Sequence, residues 1–264
     1  MKLSGFETLE LSLEERALHV RLNRPDARNA LSDPMIDELL EVFGQLEGNR
    51  SVRAVILRGN GGHFCAGADL KSMNSANSDP ESAFESNRRF GDLITAVSHL
   101  EQVVIAAIEG AVMGGGFGMV CVSDFAVSTS AAKFGMPETT LGIPPAQIAP
   151  FVVHRIGITQ ARRLALMGER ISGSEACELG IVHQCVESSA ALDVAVKDAI
   201  QRVKRCAPGA NAMTKALMLS IAGQPSGESL DYAARLFSSA VTGEEGLEGI
   251  QAFKEKRTPS WLSE

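Results

Sequence analysis

Residues 17–22, Ala-Leu-His-Val-Arg-Leu, alternate apolar and polar positions with the period of a strand buried on one face. Asn23-Arg24-Pro25-Asp26 breaks that run. Asp33 before Pro34 predicts a helix start, and Met35, Ile36, Leu39, Leu40, Phe43 and Leu46 carry an apolar stripe to about Gly48. Two uninterrupted apolar runs, 54–57 and 103–108, predict strands covered on both faces. Each precedes a glycine-rich segment, at 59–67 and from Gly110 to Gly116. The polar stretch 72–82 predicts a loop, followed by a helix over 84–100. A short helix is predicted from the second glycine segment toward Ser123, then a strand over 125–128. The first half thus repeats a strand, loop and helix. From about Ala146 the pattern turns helical, punctuated by Pro144, Pro145 and Pro150. A short helix opens at Ser174 with Gly180 as its cap, and further helices are predicted at 190–206, 209–221, 228–240 and 244–256. The pattern divides the chain into an α/β core over 1–190 and a helical C-terminal region over 191–264.

Composition narrows the function classes. A 264-residue, 28.0 kDa chain that folds as one globule exposes ~11,000 Å² of a possible ~41,000 Å², enough burial to need no metal or disulfide staple. The net charge is 25 − 32 = −7 and aromatics are 5%, which argues against a nucleic-acid footprint or base-stacking platform. The longest aliphatic run, Val103 to Ile108, is far too short to span a bilayer. Cys65, Cys121, Cys177, Cys185 and Cys206 are scattered without a Cys-x-x-Cys pair, so zinc and dithiol chemistry are not expected. The acidic N-terminal residues carry neither a signal h-region nor an Arg-rich transit pattern, and the expectation is a cytoplasmic protein with free thiols.

The sequence holds no dinucleotide fingerprint, P-loop, zincin motif or nucleophile elbow. Chemistry is instead carried by the two glycine segments, Gly61 to Leu70 and Gly110 to Gly118. Glycine lets backbone approach a ligand closely. Two such segments can aim two N–H donors at one oxygen, which is an oxyanion hole; tight turns alone are the other reading of the spacing.

The chain resembles the crotonase (enoyl-CoA hydratase/isomerase) superfamily. The resemblance rests on Leu22-Asn23-Arg24-Pro25 with Arg28-Asn29-Ala30-Leu31, on His63 to Leu70, and on Gly110 to Gly116 with Asp124. It continues through Phe134 to Glu138, Leu141-Gly142, and Glu245-Gly246 to Arg257. It implies an α/β fold: a spiral of ββα units in two roughly perpendicular sheets, with a helical C-terminal trimerisation region. It also implies a homotrimer or a hexamer built as a dimer of trimers, acting on an acyl-CoA thioester, with CoA entering as part of the substrate and no separate cofactor or metal. By motif position the backbone N–H groups of Ala68 and Gly115 would hold the thioester oxygen. Ala27, Arg28, Ala66, Asp69, Leu70 and Lys71 would line the adenine and pantetheine, and Phe253 and Lys256 would reach the CoA of a neighbouring subunit.

Typical hydratases of the family carry two glutamates. Here the second is Glu138, the implied acid/base, whereas Gly118 stands at the first position. Hydratases of branched glutaconyl-CoA substrates, the 3-methylglutaconyl and isohexenylglutaconyl types, resemble the chain most closely. They share its Pro145-Ala146-Gln147-Ile148-Ala149-Pro150 segment. The resemblance therefore implies hydration of the 2,3-double bond of a branched enoyl-CoA. The alternatives are a 3,2-enoyl-CoA isomerase using the single glutamate and a non-catalytic CoA- or RNA-binding homologue. Asp124 reads as a structural turn residue, Cys65 as a packed small residue, and Gln147 as a hydrogen-bonding residue or one that orients water. His154 and Arg155 read either as partners of a substrate carboxylate or as surface-helix residues.

Overall fold

A computed structural model describes residues 1–69, 79–221 and 226–262. The predicted Leu70 and Lys71 lie outside the described residues.

The alternating segment is β2 (Ala17–Leu22), paired antiparallel with β1 (Leu9–Glu14). β1 alternates Leu9, Leu11 and Leu13 with Glu10, Ser12 and Glu14, the same two-residue period, and was not among the predicted strands; half of its residues are exposed at the sheet edge. The two continuous apolar runs are β3 (Ala54–Gly59) and β4 (Val103–Ile108), parallel neighbours at the centre of the sheet. With β6 (Phe125–Thr129) and β9 (Gln184–Val186) they give a six-stranded order β1-β2-β3-β4-β6-β9. Three short strands, β5 (Ala111–Met113), β7 (Lys133–Gly135) and β8 (Arg170–Ser172), form a second sheet. Strands of three residues carry too few positions for a period, and the sequence pattern does not reveal them.

The repeat is a long strand, a short strand and a helix. β4 leads to β5 and α3 (Gly115–Val122); β6 leads to β7 and α4 (Ala149–Met167). β3 leads to the Cys65 bridge with Val112 and, beyond it, to α2 (Pro80–His99). This is the ββα spiral. α1 (Asp33–Gly44) packs against α2, and Met35, Leu39, Leu93, Ile94, Phe117 and Ile148 belong to one continuous buried cluster.

The other face of the large sheet is closed by α6 (Ser189–Lys204), which buries Leu192, Ala195, Val196, Ala199 and Ile200 on Ile56, Ile105, Ala107 and Val127. This helix falls in the predicted C-terminal region yet packs on the sheet. Beyond the short α5 (Gly173–Glu178), the remaining helices are α7 (Pro208–Ser220), α8 (Gly227–Thr242) and α9 (Glu244–Glu255). Lys215 ties them to the core: its Nζ reaches Asp124 (2.5 Å) and donates to Gln102 O (2.7 Å). Within the C-terminal helices, the Glu245 carboxylate accepts from the N–H groups of Gly209 and Ala210.

Candidate active site

The two glycine segments lie side by side. Phe64 N donates to Glu109 O (2.8 Å), Cys65 N to Ala111 O (2.9 Å) and Met113 N to Cys65 O (2.9 Å). This parallel pairing carries the first segment along the second, residue by residue, until Gly67 meets Gly114: a Cβ on Gly114 would lie 3.7 Å from Gly67 Cα. The residues that follow, Ala68 and Gly115, therefore leave the pairing next to each other.

Both following N–H groups are unengaged, for different reasons. Ala68 bridges Leu31, but the bonds of that bridge use its neighbours: Leu31 N donates to Gly67 O (2.8 Å) and Asp69 N to Leu31 O (2.9 Å). Gly115 is the first residue of α3, where a helix leaves its N–H groups without intrahelical acceptors. Among the described residues neither N–H donates to a protein acceptor. The start of α3 also adds positive helix-end potential at this point.

Gly114 holds the pieces together. Its φ of 49° and ψ of −115° suit glycine alone, and its N–H donates to Gly135 O at the end of β7 (3.0 Å). Three residues beyond Gly135, in the 3₁₀ turn Pro137–Leu141, stands Glu138. A Cβ on Gly114 would lie 3.0 Å from Glu138 Oε1, so the carboxyl group rests directly against this backbone. Glu138 Oε2 is buried with no hydrogen-bond partner among the described residues. Burial pushes the Glu138 carboxyl above the ordinary carboxylate range.

The opposite wall is apolar. A Cβ on Gly115 would lie 2.8 Å from Phe90 Cζ and 2.9 Å from Leu31 Cδ1. A Cβ on Gly118 would collide with Ile148 Cγ2, with Ile94 Cδ1 next at 3.5 Å. Ile148 thus fills the ground in front of position 118, and no carboxylate at that position fits this packing. Leu31, Phe90 and Ile148 are the site-forming residues that the sequence left unassigned. The i, i+3, i+4, i+7 spacing of Asn87, Phe90, Gly91 and Ile94 is the signal that one face of α2 covers α3.

The other predicted residues sort by position. Ala27 and Arg28 end the turn Pro25–Ala27, and Arg28 O accepts from Ala66 N (3.0 Å), which brings Ala27, Arg28, Ala66, Ala68 and Asp69 together. Asn29 fixes that turn: its Oδ1 accepts from Arg24 N, and its Nδ2 donates to Asn60 O and His63 O. Asp69 is engaged by Arg24 (2.7 Å). Phe253 on α9 is 85% exposed and Lys256 caps that helix in a left-handed conformation. Among the described residues no hydrogen bond or ion pair joins the side chain of either to segments 66–69 or 114–118 of their own chain.

Asp124 is structural: it accepts from Val104 N (2.7 Å) and pairs with Lys215. Cys65 is fully buried, its thiol pushed up to about 12 by burial, so it packs rather than reacts. Arg155 corrects one expectation. Its guanidinium donates to Ile181 O and Ser123 O, which consumes it inside the fold and leaves it unsuited to a substrate carboxylate. A separate cavity of about 220 Å³ opens behind the large sheet, near His19, Arg58 and Asp193; its Arg58 is already paired with Glu109 and Asp193.

Comparison with known proteins agrees with this geometry. Residues 13–264 match the family model described as enoyl-CoA hydratase/isomerase. The chain is 34% identical over 253 residues to the human enoyl-CoA hydratase domain-containing protein 2, mitochondrial, covering 92% of this chain and 84% of that protein. Among solved structures, Pseudomonas aeruginosa AtuE is similar at 50% identity with a TM-score of 0.95, covering 97% of this chain and 100% of that one. An enoyl-CoA hydratase/isomerase from Marinobacter aquaeolei is similar at 52% identity and a TM-score of 0.93, covering 97% and 99%. Adjacent free donors, a buried carboxyl group and a match over nearly the whole chain converge: this protein is an enzyme of the enoyl-CoA hydratase/isomerase family, within the crotonase superfamily.

Proposed function

We propose that the chain hydrates the 2,3-double bond of an enoyl-CoA, a branched and carboxylated one, with Glu138 as its single acid/base. The observation that carries this reading is the buried, partner-free Oε2 of Glu138 beside two unengaged N–H groups. In this mechanism the thioester oxygen accepts from the N–H groups of Ala68 and Gly115. Glu138 takes a proton from water as the hydroxide adds to C3. The electron pair of the double bond moves onto the thioester oxygen, where the two donors stabilise the enolate. The protonated Glu138 then returns the proton to C2, so one water is added and the carboxylate is regenerated. A carboxyl that burial has moved toward neutral pH suits both halves of this cycle.

The same lone carboxyl supports a second reading. A 3,2-enoyl-CoA isomerase removes a proton from C2 and returns it at C4, and the Ile148 wall then excludes water from the second face. CoA enters as part of the substrate, with no separate cofactor. Ala27, Arg28, Ala66 and Asp69 line its path in this reading, with Leu70 and Lys71 beyond the described residues. The deciding experiment is a thioester-absorbance panel of crotonyl-CoA, a 3-enoyl-CoA and 3-methylglutaconyl-CoA. Preferred hydration of the last supports the proposal. Conversion of the 3-enoyl-CoA alone selects the isomerase, and CoA retention without turnover selects a non-catalytic homologue.

The assembly proposed is a homotrimer or a dimer of trimers in the cytoplasm. It is supported by the apolar surface of the C-terminal helices. The chain exposes 13537 Å², against the ~11,000 Å² of a compact monomer of this mass. α8 buries none of its residues, and Leu230, Phe237 and Phe253 are 63%, 71% and 85% exposed. In that assembly Phe253 and Lys256 reach a neighbour's CoA. Lys256→Ala is then expected to weaken CoA binding with little change in kcat; unchanged CoA affinity and KM would remove Lys256 from the site. Among the described residues no helix is long and apolar enough to cross a membrane.

A further inference from the structure

The first half of α2 has little beneath it. Residues 84–89 are exposed, and burial begins at Gly91 and continues through Leu93, Ile94 and Val97. Phe90, which roofs Gly115, stands half-buried at that boundary. Little apolar area therefore holds the half of the helix that ends in Phe90. Among the described residues, two side-chain bonds join this half to other elements. Arg89 pairs with Asp37 on α1, and Gln147 Nε2 donates to Asn87 Oδ1 (2.9 Å).

The Gln147 bond is built into the fold at both of its ends. Gln147 directly precedes Ile148, which is buried and packed on Gly118, so the backbone behind the amide is anchored. On α2, Gly91 lies one turn beyond Asn87 on the same face. Alanine is the better helix former at such an interior position. A Cβ on Gly91, however, would collide with Gln147 Oε1 and lie 2.9 Å from Gln147 Cδ. The bare backbone lets the amide close onto the helix while its nitrogen reaches Asn87. The amide thus grips α2 one residue after Phe90 and three residues before it.

We propose that Gln147 is a positioning residue: it latches the first half of α2 to the approach to α4 and thereby holds Phe90 over Gly115, beside the place proposed for the thioester group. It touches no reacting atom. The inference rests on the acyl-CoA reading of the site and deepens it, because it names what fixes the apolar wall against which the acyl group packs. It is indifferent to hydration or isomerisation, since both reactions bind the same thioester.

The test measures Kd by calorimetry for free CoA and for butyryl-CoA, a saturated thioester with no double bond to hydrate or shift. The ratio of the two reports what the acyl group contributes. Amide hydrogen exchange over 84–90 is followed in the same proteins. Gln147→Ala is expected to lower the acyl ratio by about 3- to 10-fold, the scale of one hydrogen bond, and to speed exchange over 84–90 while 93–98 stay protected. Gly91→Ala leaves both bonded residues in place, and its methyl meets only the movable ends of the Gln147 and Arg88 side chains. It is expected to fold and to reproduce both effects. Asn87→Asp, whose carboxylate still accepts from Nε2, is expected to keep the parental ratio, and Asn87→Leu to lose it. A ratio unchanged in Gln147→Ala and Gly91→Ala overturns the inference, as does an equal loss of affinity for CoA and butyryl-CoA, which a merely structural role would give; both leave the acyl-CoA reading intact. A parent that binds neither ligand overturns that reading and the inference with it.

Discussion

In the proposed mechanism the two donor segments perform one task, yet they tolerate sequence change very differently. Ala68 is exposed, and its N–H is spare because the bridge to Leu31 uses the groups on either side of it. Gly115 owes its spare N–H to the start of a helix, and it is roofed by Phe90 and Leu31. One donor comes from strand-edge geometry, the other from a helix end. The oxyanion chemistry asks only for an N–H at each place. Glycine is demanded at 115, and not at 68, by what packs above it.

The strongest way to break the comparison removes the acid/base that works beside both donors. Glu138→Gln keeps the shape of the side chain and deletes its basicity, and kcat is expected to fall by ~10²–10⁴ while acyl-CoA binding persists. Full activity of that variant on every active substrate would refute the mechanism and leave only the binding half.

The comparison is sharpened by substituting each donor in turn. Ala68→Pro deletes the N–H without touching the Gly67 and Asp69 bonds to Leu31, and a loss of ~10²–10³ in kcat is expected. Ala68→Ser keeps the N–H at an exposed position and is expected to retain turnover. At position 115 the side chain itself is the problem: Gly115→Val drives Phe90 and Leu31 away, and a loss of about 100-fold is expected from a folded protein. Near-parental turnover by folded Gly115→Val would take that N–H out of the site.

A further variant probes the roof. Gly118→Glu places a side chain where Ile148 already stands, an overpacking expected to cost ~1–3 kcal/mol by denaturant titration. It is not expected to create a second functional carboxylate. A gain in crotonyl-CoA hydration by this variant would show that Ile148 yields easily and that the site is a lapsed two-carboxylate hydratase.

The smallest expected effect concerns stability and pH. Burial raises the Glu138 pKa in the folded state above its unfolded value. The folded form therefore binds the proton more tightly, and stability falls as pH rises through the folded pKa. Glu138→Gln is expected to melt slightly higher than the parent at neutral pH, with the difference vanishing below the ordinary carboxylate range. An equal difference at all pH values would mean that the carboxyl is well solvated.

Much of this was legible from the chain. β2, β3, β4 and β6 were predicted because each is either half-covered or fully covered and so alternates or runs apolar. The helices α1, α2 and α6 to α9 followed from apolar spacing and glycine or proline boundaries. The short strands β5, β7 and β8 were not legible. Their placement depends on pairing between distant segments, such as Ala111 with Lys133 and Phe134 with Ile171, which no local period records. The proposed donors Ala68 and Gly115 and the proposed base Glu138 came from motif position. Phe90, Leu31 and Ile148 did not, because an apolar residue that roofs a site looks in sequence like any core residue.

The sequence by itself determined the α/β class, the two glycine segments, the absence of a glutamate at 118 and the presence of one at 138. These are properties of residue type and local spacing. Only the tertiary structure decided that Gly67 abuts Gly114, that Glu138 rests on that backbone with one oxygen unpartnered, and that Ile148 occupies the ground before Gly118. It also decided that Arg155 is spent on backbone carbonyls. Each of these depends on side chains from separate elements sharing one volume, and close packing in three dimensions sets which of them fit.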